Sequence, residues 1–211
     1  MKLLFVHGWG FDAGLWAGVA SLLPDARIGV ADRGYFGAPR TPELEGPTIA
    51  VAHSFGAMLV LRDPPPDCAG LIAINGFDCF TAREGFAGVA PRVLDRMLAR
   101  FDGDTRAVLE EFRARCGDAT PMPACDAEIL RQDLVTLRDG DCRTEAAAWV
   151  RPLLVLHGGQ DPILPAAMRD QAFAGARGAE RATHPDAGHL LPQSHAAFCA
   201  QHIAAFARRL A

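Results

Sequence analysis

The hydrophobic residues of this chain fall into short uninterrupted runs, separated by longer segments in which apolar positions recur every three or four residues. A run of five or six mostly apolar residues predicts a strand buried on both faces, because such a strand lacks polar alternation. Strands that alternate with helical segments are typical of a parallel sheet covered by helices on both faces. The pattern predicts an α/β fold with six strands, at 2–6, 27–31, 48–52, 70–75, 152–157 and 180–184, the last being the least apolar.

The pattern changes between residues 77 and 151, where amphipathic helical stretches replace the strand-like runs. Three stretches carry apolar residues at helical spacing, at 93–101, 108–112 and 129–137. An insertion of helices between two sheet strands predicts a lid over the strand ends. We therefore expect a core formed by 1–76 and 152–211, with a helical lid insertion at 77–151.

One serine has the local sequence of a nucleophile. Ser54 lies between the buried run at 48–52 and a segment of helical length and composition. A serine on such a sharp turn exposes its hydroxyl, and the next main-chain N–H, here that of Phe55, points to where an oxyanion forms. Gly56 supplies the small residue that this elbow needs, whereas Ala52 stands where the motif usually has glycine. Ser54 is therefore the candidate nucleophile.

Three other predicted strands end in residues that a serine hydrolase requires. Asp161 follows the fifth strand in a tight turn, and His189 follows the sixth strand on a loop. The Gly-Trp-Gly segment around Trp9 follows the first strand, and its main chain is a candidate second oxyanion donor. Because parallel sheets react at the carboxyl ends of their strands, these groups are expected to converge on Ser54. The order Ser, Asp, His along the chain is that of the α/β-hydrolase triad.

The triad residues have defined chemical roles in this arrangement. His189 takes the Ser54 proton as general base and returns it to the leaving group, while Asp161 orients the imidazole. Asp32 and Asp186 remain alternative acids. Structural roles are expected for the other histidines near strand ends, which are His7, His53 and His157.

Composition narrows the range of partners. The net charge of −4 gives no reason to expect nucleic acid, and no apolar run reaches the length of a membrane span. The six cysteines are far apart and lack metal-ligand spacing, so we expect free thiols in a reducing cytoplasm, without metal or cofactor. No signal peptide is expected before the first strand.

With these motifs in view, the chain resembles α/β-hydrolases and, among them, the pimeloyl-acyl-carrier-protein methyl ester esterases of biotin synthesis. The resemblance rests on LLFVHGWGFDAGLW near the start and on HGGQDPILP and DAGHLLP near the end. It implies that Ser54, Asp161 and His189 form the triad and that Trp9 lines the acyl site. Phe112 of the predicted lid is a further candidate for that site.

The chain departs from the usual family pattern at its start, and the resemblance also implies a protein partner. The chain begins at what is usually the third strand, so we expect about six strands, an exposed sheet edge and an undetermined oligomeric state. The family binds an acidic carrier protein through basic lid residues, which implies such a role for Arg92, Arg96 and Arg100 on one helix face. Arg106, Arg113 and Arg115 follow on the next helix. The segment from residue 83 to 115 contains seven arginines and six acidic residues. Its charges nearly balance, so we expect no strong net electrostatic field.

The expected function is that of a serine carboxylesterase acting on an acyl ester, with the pimeloyl carrier methyl ester as leading substrate. A general short-chain esterase or thioesterase has the same triad. A cofactor-free haloperoxidase is a further enzyme alternative. A non-catalytic ligand-binding protein of this fold is the alternative from another class. Acyl length and leaving group stay open, because the lid that shapes the pocket has the fewest motifs.

Overall fold

Six parallel strands form the sheet in the computed structural model, which describes residues 2–210. The strands are β1 (Lys2–Val6), β2 (Arg27–Ala31), β3 (Thr48–His53), β4 (Cys68–Ile74), β5 (Leu153–Gly158) and β6 (Glu180–His184). Their order in the sheet is β2-β1-β3-β4-β5-β6, with β2 and β6 at the edges. All six lie within two residues of their predicted bounds. The ends of the predicted core, residues 1 and 211, lie outside the described residues.

The strands that are more deeply buried have the clearer apolar pattern in the sequence. Every residue of β3 and β5 is buried, and both read as continuous apolar runs. In contrast, β6 pairs with β5 alone and three of its five residues are exposed. An exposed edge strand has little need of apolar side chains, which accounts for its weak pattern.

Helices connect the strands, and several pack against one another. Asp12 accepts a hydrogen bond from the Gly14 N–H at the start of a short 3-10 turn that leads into the first helix. The helices are α1 (Ala17–Ser21), α2 (Gly56–Arg62), α3 (Pro91–Phe101), α4 (Thr105–Cys116), α5 (Ala127–Asp139), α6 (Arg143–Ala147), α7 (Ala166–Gln171), α8 (Leu191–Ser194) and α9 (Ala196–Arg208). Helix α1 packs against α9, and α2 packs against α6.

The segment from 77 to 151 lies between β4 and β5 and is mainly helical. Helices α3 to α6 occupy it, and its bridging residue pairs are isolated ones. Helix α3 packs against both α4 and α5, and the predicted apolar faces are largely buried. The function of this segment as a lid stays a prediction.

Strand β1 and helix α2 approach too closely for a side chain at Gly56. A Cβ atom built there lies 2.7 Å from the carbonyl oxygen of Val6 and 2.8 Å from that of His7. Both neighbours are main-chain atoms at the end of β1 and just after it, which cannot move aside cheaply. The glycine of the predicted elbow is therefore required by packing.

Two histidines are buried at the ends of central strands. Burial lowers the pKa of His53 to about 3, with the nearby His189 adding to the shift. Burial likewise lowers the pKa of His157 to about 4. Both side chains are therefore neutral in the folded protein at pH values where they are charged in the unfolded chain.

Substitution Gly56→Ala is expected to lower the free energy of unfolding by about 1–3 kcal/mol, because the added methyl group forces the elbow away from β1. Urea unfolding followed by circular dichroism measures this change. Gly37→Ala is the matched control, since a Cβ at Gly37 meets no atom within 4 Å. Equal losses in the two variants would contradict the packing argument.

Lowering the pH from 7 towards 4 is expected to reduce the free energy of unfolding. His53 and His157 have folded pKa values below their ordinary value of 6.5, so the unfolded chain binds more protons in this window. The stability that depends on keeping the two rings neutral is fully present above about pH 6.5. It is lost as the pH falls towards about 4 for His157 and about 3 for His53. Urea unfolding at pH 7, 6 and 5 measures the slope. His157→Gln should reduce the proton uptake on unfolding by nearly one near pH 5. An unchanged slope there would rule out this assignment.

Candidate active site

The main chain turns sharply at Ser54, between β3 and α2. Ser54 has a φ of +52°, in the left-handed region that non-glycine residues rarely adopt. Its N–H donates to the carbonyl oxygen of Ile74 at the end of β4 (3.0 Å), which holds the turn against the sheet. Strain of this kind is typical of a nucleophile elbow.

The structure brings Ser54, His189 and Asp161 together in one hydrogen-bonded series. The Ser54 Oγ lies 3.1 Å from Nε2 of His189, and Nδ1 of His189 lies 2.8 Å from Oδ2 of Asp161. All three side chains are buried, with residue exposures of 6%, 0% and 6% in that order. The geometry lets Nδ1–H donate to the carboxylate while Nε2 accepts the serine proton.

The environment of Asp161 keeps its carboxylate ionised. Burial raises the pKa of Asp161, whereas the charge and hydrogen bond of His189 lower it, and the net pKa lies below the ordinary value of 3.8. The N–H groups of Ile163 (2.7 Å) and Leu164 (3.1 Å) also donate to Oδ1 and lower the pKa further. Asp161 is therefore an acceptor for His189 at neutral pH.

The two alternative acids lie elsewhere. Asp32 approaches His7, with 3.5 Å between Oδ1 and Nε2, and its carboxylate also accepts main-chain N–H groups. Asp186 is exposed to solvent. Neither contacts His189, so Asp161 is the acid that the structure brings to the histidine.

A cavity of about 560 Å³ opens beside Ser54. Most of its wall comes from the helical insertion, and most of that wall is apolar. Its size and lining suit an acyl chain, with the ester placed at the serine. The apolar residues that the insertion contributes include Phe77, Phe80, Val93, Leu94, Met97, Val108, Phe112, Leu134 and Leu137.

Trp9 and Phe112 lie where the resemblance implied, in the wall of this cavity. Their rings meet edge to face with centroids 4.9 Å apart, and the indole N–H of Trp9 donates to the carbonyl of Leu130 (2.8 Å). The Phe55 side chain is fully buried and lies outside the cavity lining. Within residues 2–210, no hydrogen bond engages the main-chain N–H of Trp9 or Phe55. Both groups are therefore unengaged donors on loops beside the serine.

The predicted row of arginines divides between the cavity and the surface. Arg96 and Arg100 line the cavity, whereas Arg92 is exposed and lies outside its lining. Arg100 is paired with Glu111, with 2.8 Å between Nη1 and Oε2. Arg115 of α4 completes the basic part of the cavity wall.

Arg113, one of the arginines that follow the predicted row on the next helix, is buried. It is 8% exposed, and its Nη2 lies 2.5 Å from Oδ2 of Asp118. Its Nη1 donates to the carbonyl oxygen of Gly10 (3.3 Å), and its guanidinium stacks over Phe11. Arg113 therefore joins α4 to the loop that carries Trp9.

Asn75 is a site residue that the sequence reasoning missed. It was predicted only as the end of the fourth strand, but its buried amide lies directly behind His189. The available signal was a polar residue that ends an apolar run and precedes a glycine. The residue's partner is 114 positions away, so the signal gave no indication of its role.

Within residues 2–210, no cluster of three or more His, Cys, Asp or Glu side chains is arranged to hold a metal ion. The six cysteines are free thiols, as expected. None of the helices in that range has the length and hydrophobicity needed to cross a bilayer.

Comparison with known sequences gives relatives along most of the chain. The pimeloyl-[acyl-carrier protein] methyl ester esterase of Yersinia pseudotuberculosis serotype O:1b (strain IP 31758) is 27% identical over 207 residues. The match covers 81% of this chain and 80% of that protein. The similarity is thus spread over both predicted parts of the chain.

Comparison with solved structures supports the fold. The esterase EaEST from Exiguobacterium antarcticum has a TM-score of 0.86 and 16% identity, and covers 99% of this chain and 92% of its own. A bromoperoxidase from Bacillus anthracis has a TM-score of 0.81 and 16% identity, and covers 98% and 91%. The sequence profile of the alpha/beta hydrolase family matches residues 3–202, which confirms the predicted fold class and resemblance. The chain belongs to the alpha/beta hydrolase family.

Proposed function

We propose that this protein is a serine carboxylesterase whose substrate is the methyl ester of a pimeloyl group carried on acyl-carrier protein, in biotin synthesis. The observation that carries the esterase assignment is the hydrogen-bonded series from Ser54 through His189 to Asp161 beside an apolar cavity. This series contains a nucleophile, a base and an orienting acid in reach of one another.

The reaction follows from the positions of these groups. His189 Nε2 removes the Ser54 proton as Oγ attacks the ester carbonyl carbon, and Asp161 stabilises the imidazolium that forms. The N–H groups of Trp9 and Phe55 donate to the resulting oxyanion. The intermediate collapses and releases the alcohol, which takes the proton from His189. Water, deprotonated by His189, then attacks the acyl-enzyme, and the acid leaves as Ser54 regains its proton.

Two observations support the carrier-linked substrate. The relative from Yersinia pseudotuberculosis is named for this ester and matches four fifths of the chain. The cavity also combines an apolar wall for an acyl chain with Arg96, Arg100 and Arg115. Arginines of this kind suit the phosphate and carboxylate groups of a carrier and its prosthetic arm.

A general short-chain esterase or thioesterase is the second candidate. It is favoured by the charge balance of the insertion, where Arg100 pairs with Glu111 and Arg106 pairs with Glu110. Such pairing reduces the field available to attract an acidic carrier. A non-catalytic binding role is opposed by the complete series of triad side chains. The likeness to a bromoperoxidase concerns the fold alone.

Substitution Ser54→Ala is expected to abolish labelling by a fluorophosphonate probe and to lower kcat on a short p-nitrophenyl ester at least about 10⁴-fold, because the nucleophile is lost. Mass spectrometry of the labelled peptide identifies the modified residue. Ser21→Ala, at an exposed serine of α1, is the control and should behave as wild type. Labelling of a residue other than Ser54 would overturn the assignment of the nucleophile.

Wild type and Ser54→Ala also test whether the carrier-linked ester is the substrate in cells. A biotin auxotroph that lacks its pimeloyl ester esterase should grow with wild type and fail to grow with Ser54→Ala. Failure of both, with activity on p-nitrophenyl esters intact in wild type, would retain the triad and reject the biotin assignment in favour of the general esterase.

Replacing Arg92 and Arg96 together by glutamate is expected to raise KM for the carrier-linked ester roughly tenfold more than KM for a short p-nitrophenyl ester, because only the larger substrate presents acidic groups there. Steady-state kinetics at low and moderate salt measure both values. Replacing Arg27 and Arg208 together by glutamate, at exposed positions of β2 and α9, is the matched charge reversal. Equal effects on the two substrates would argue against carrier binding by this helix face.

A further inference from the structure

We propose that Asn75 and His53 are positioning residues that fix His189 between Ser54 and Asp161. Their side chains donate hydrogen bonds to the main-chain carbonyls of Gly188 and His189. We call Asn75 and His53 together the histidine clamp. The inference rests on the proposed function, since it concerns the base of that reaction.

The loop that carries His189 needs such support, because ordinary main-chain bonds stop just before it. The carbonyl of Ala187 accepts from the N–H of Gln160 (2.9 Å). Across the described residues, neither Gly188 nor His189 takes part in a hydrogen bond between main-chain groups. The following helix, α8, begins only at Leu191. A glycine in such a stretch leaves the chain free to move unless side chains restrain it.

Asn75 provides three hydrogen bonds to this region. Its Nδ2 donates to the carbonyls of Gly188 (3.0 Å) and His189 (2.7 Å), and its Oδ1 accepts from the N–H of Gly158 (2.7 Å). The partners fix the orientation of the amide, since two acceptors and one donor allow only one assignment of its oxygen and nitrogen. The amide thereby ties the histidine loop to the end of β5.

The main-chain conformation of Asn75 also favours these hydrogen bonds. It has a φ of +45°, and asparagine is among the few non-glycine residues that adopt this region readily. Its own N–H donates to the carbonyl of Leu156 (2.7 Å), so the residue is held from β5 as well as from β4. The side chain is fully buried, and its hydrogen bonds are therefore shielded from competing water.

The ends of β5 and the histidine loop are in close contact at Gly158. A Cβ atom built on Gly158 lies 2.4 Å from the carbonyl oxygens of Ala187 and Gly188. The loop therefore rests directly on the strand end, at a distance that only glycine permits. The Asn75 amide joins these two segments from the side of β4.

His53 completes the clamp from the strand that precedes the nucleophile. Its Nε2 lies 2.9 Å from the His189 carbonyl oxygen, which can only accept, so the Nε2 proton is donated there. Its Nδ1 is buried and has no partner among the described residues, as expected of the unprotonated nitrogen of a neutral ring. The His189 carbonyl thus accepts from both Asn75 and His53, while the His189 ring reaches Ser54 and Asp161.

The clamp is expected to affect turnover and to leave substrate binding unchanged. Neither Asn75 nor His53 lines the cavity beside Ser54. A shift of about 1 Å at a reacting group can reduce a rate by about 10²-fold. Loss of the clamp should therefore lower kcat with little change in KM.

Three variants test this inference. Asn75→Asp keeps the size of the side chain and the acceptor for Gly158, but its carboxylate cannot donate to the two carbonyls. His53→Leu removes the second donor, whereas His53→Gln places an amide nitrogen near the position of Nε2. Urea unfolding establishes that each variant is folded, and the His53 pair carries the test if Asn75→Asp is not.

The readouts are kcat and KM on a short p-nitrophenyl ester and the second-order rate of fluorophosphonate labelling at Ser54. Asn75→Asp should lower kcat and the labelling rate roughly 10- to 100-fold, with KM within about twofold of wild type. His53→Leu should lower both rates about tenfold, and His53→Gln should recover most of the loss.

Wild-type rates in folded Asn75→Asp, a parallel rise in KM, or equal rates in His53→Leu and His53→Gln would overturn the inference. A wild-type protein that reacts no faster than Ser54→Ala would instead overturn the proposed function. The two failures are therefore distinguishable.

Discussion

Parallel pairing of all six strands places their carboxyl ends on one edge of the sheet, and the whole site depends on this constraint. Ser54 follows β3 and His189 follows β6, with β4 and β5 between them. Three strand spacings of about 4.8 Å separate the two strand ends by about 14 Å. The loop after β6 must therefore cross the ends of β5 and β4 before His189 reaches Ser54, and the sheet edge becomes the support on which it rests.

The polar groups at this edge of the sheet are buried, and polar groups removed from water need hydrogen-bond partners. Asp161 meets the requirement through His189 and two main-chain N–H groups, which also keep it ionised. Asn75 meets it by bonding the loop and β5 at once. The same hydrogen bonds that satisfy buried groups therefore set the geometry of the proposed catalytic residues.

The helical insertion contributes to the site in two ways. It provides most of the cavity wall, and it contacts the loop that carries Trp9 through Phe112, Leu130 and Arg113. The Arg113 guanidinium is compensated by Asp118 and faces the Gly10 carbonyl, so a buried charge lies between α4 and this loop. The shape of the cavity and the position of the Trp9 main chain are consequently linked.

The fold class could be predicted from the amino-acid pattern alone, because strands buried on both faces appear as continuous apolar runs. The sequence also located Ser54, Asp161 and His189, since each lies in a short motif at the end of such a run. The edge strand β6 was the weakest prediction because exposed residues carry no apolar pattern. Tertiary structure alone decided that Arg96 lines the cavity while Arg92 does not, and that Arg113 is buried. It also decided the role of Asn75, whose partner His189 is 114 positions away, because hydrogen bonds between distant segments leave no periodic trace in either segment.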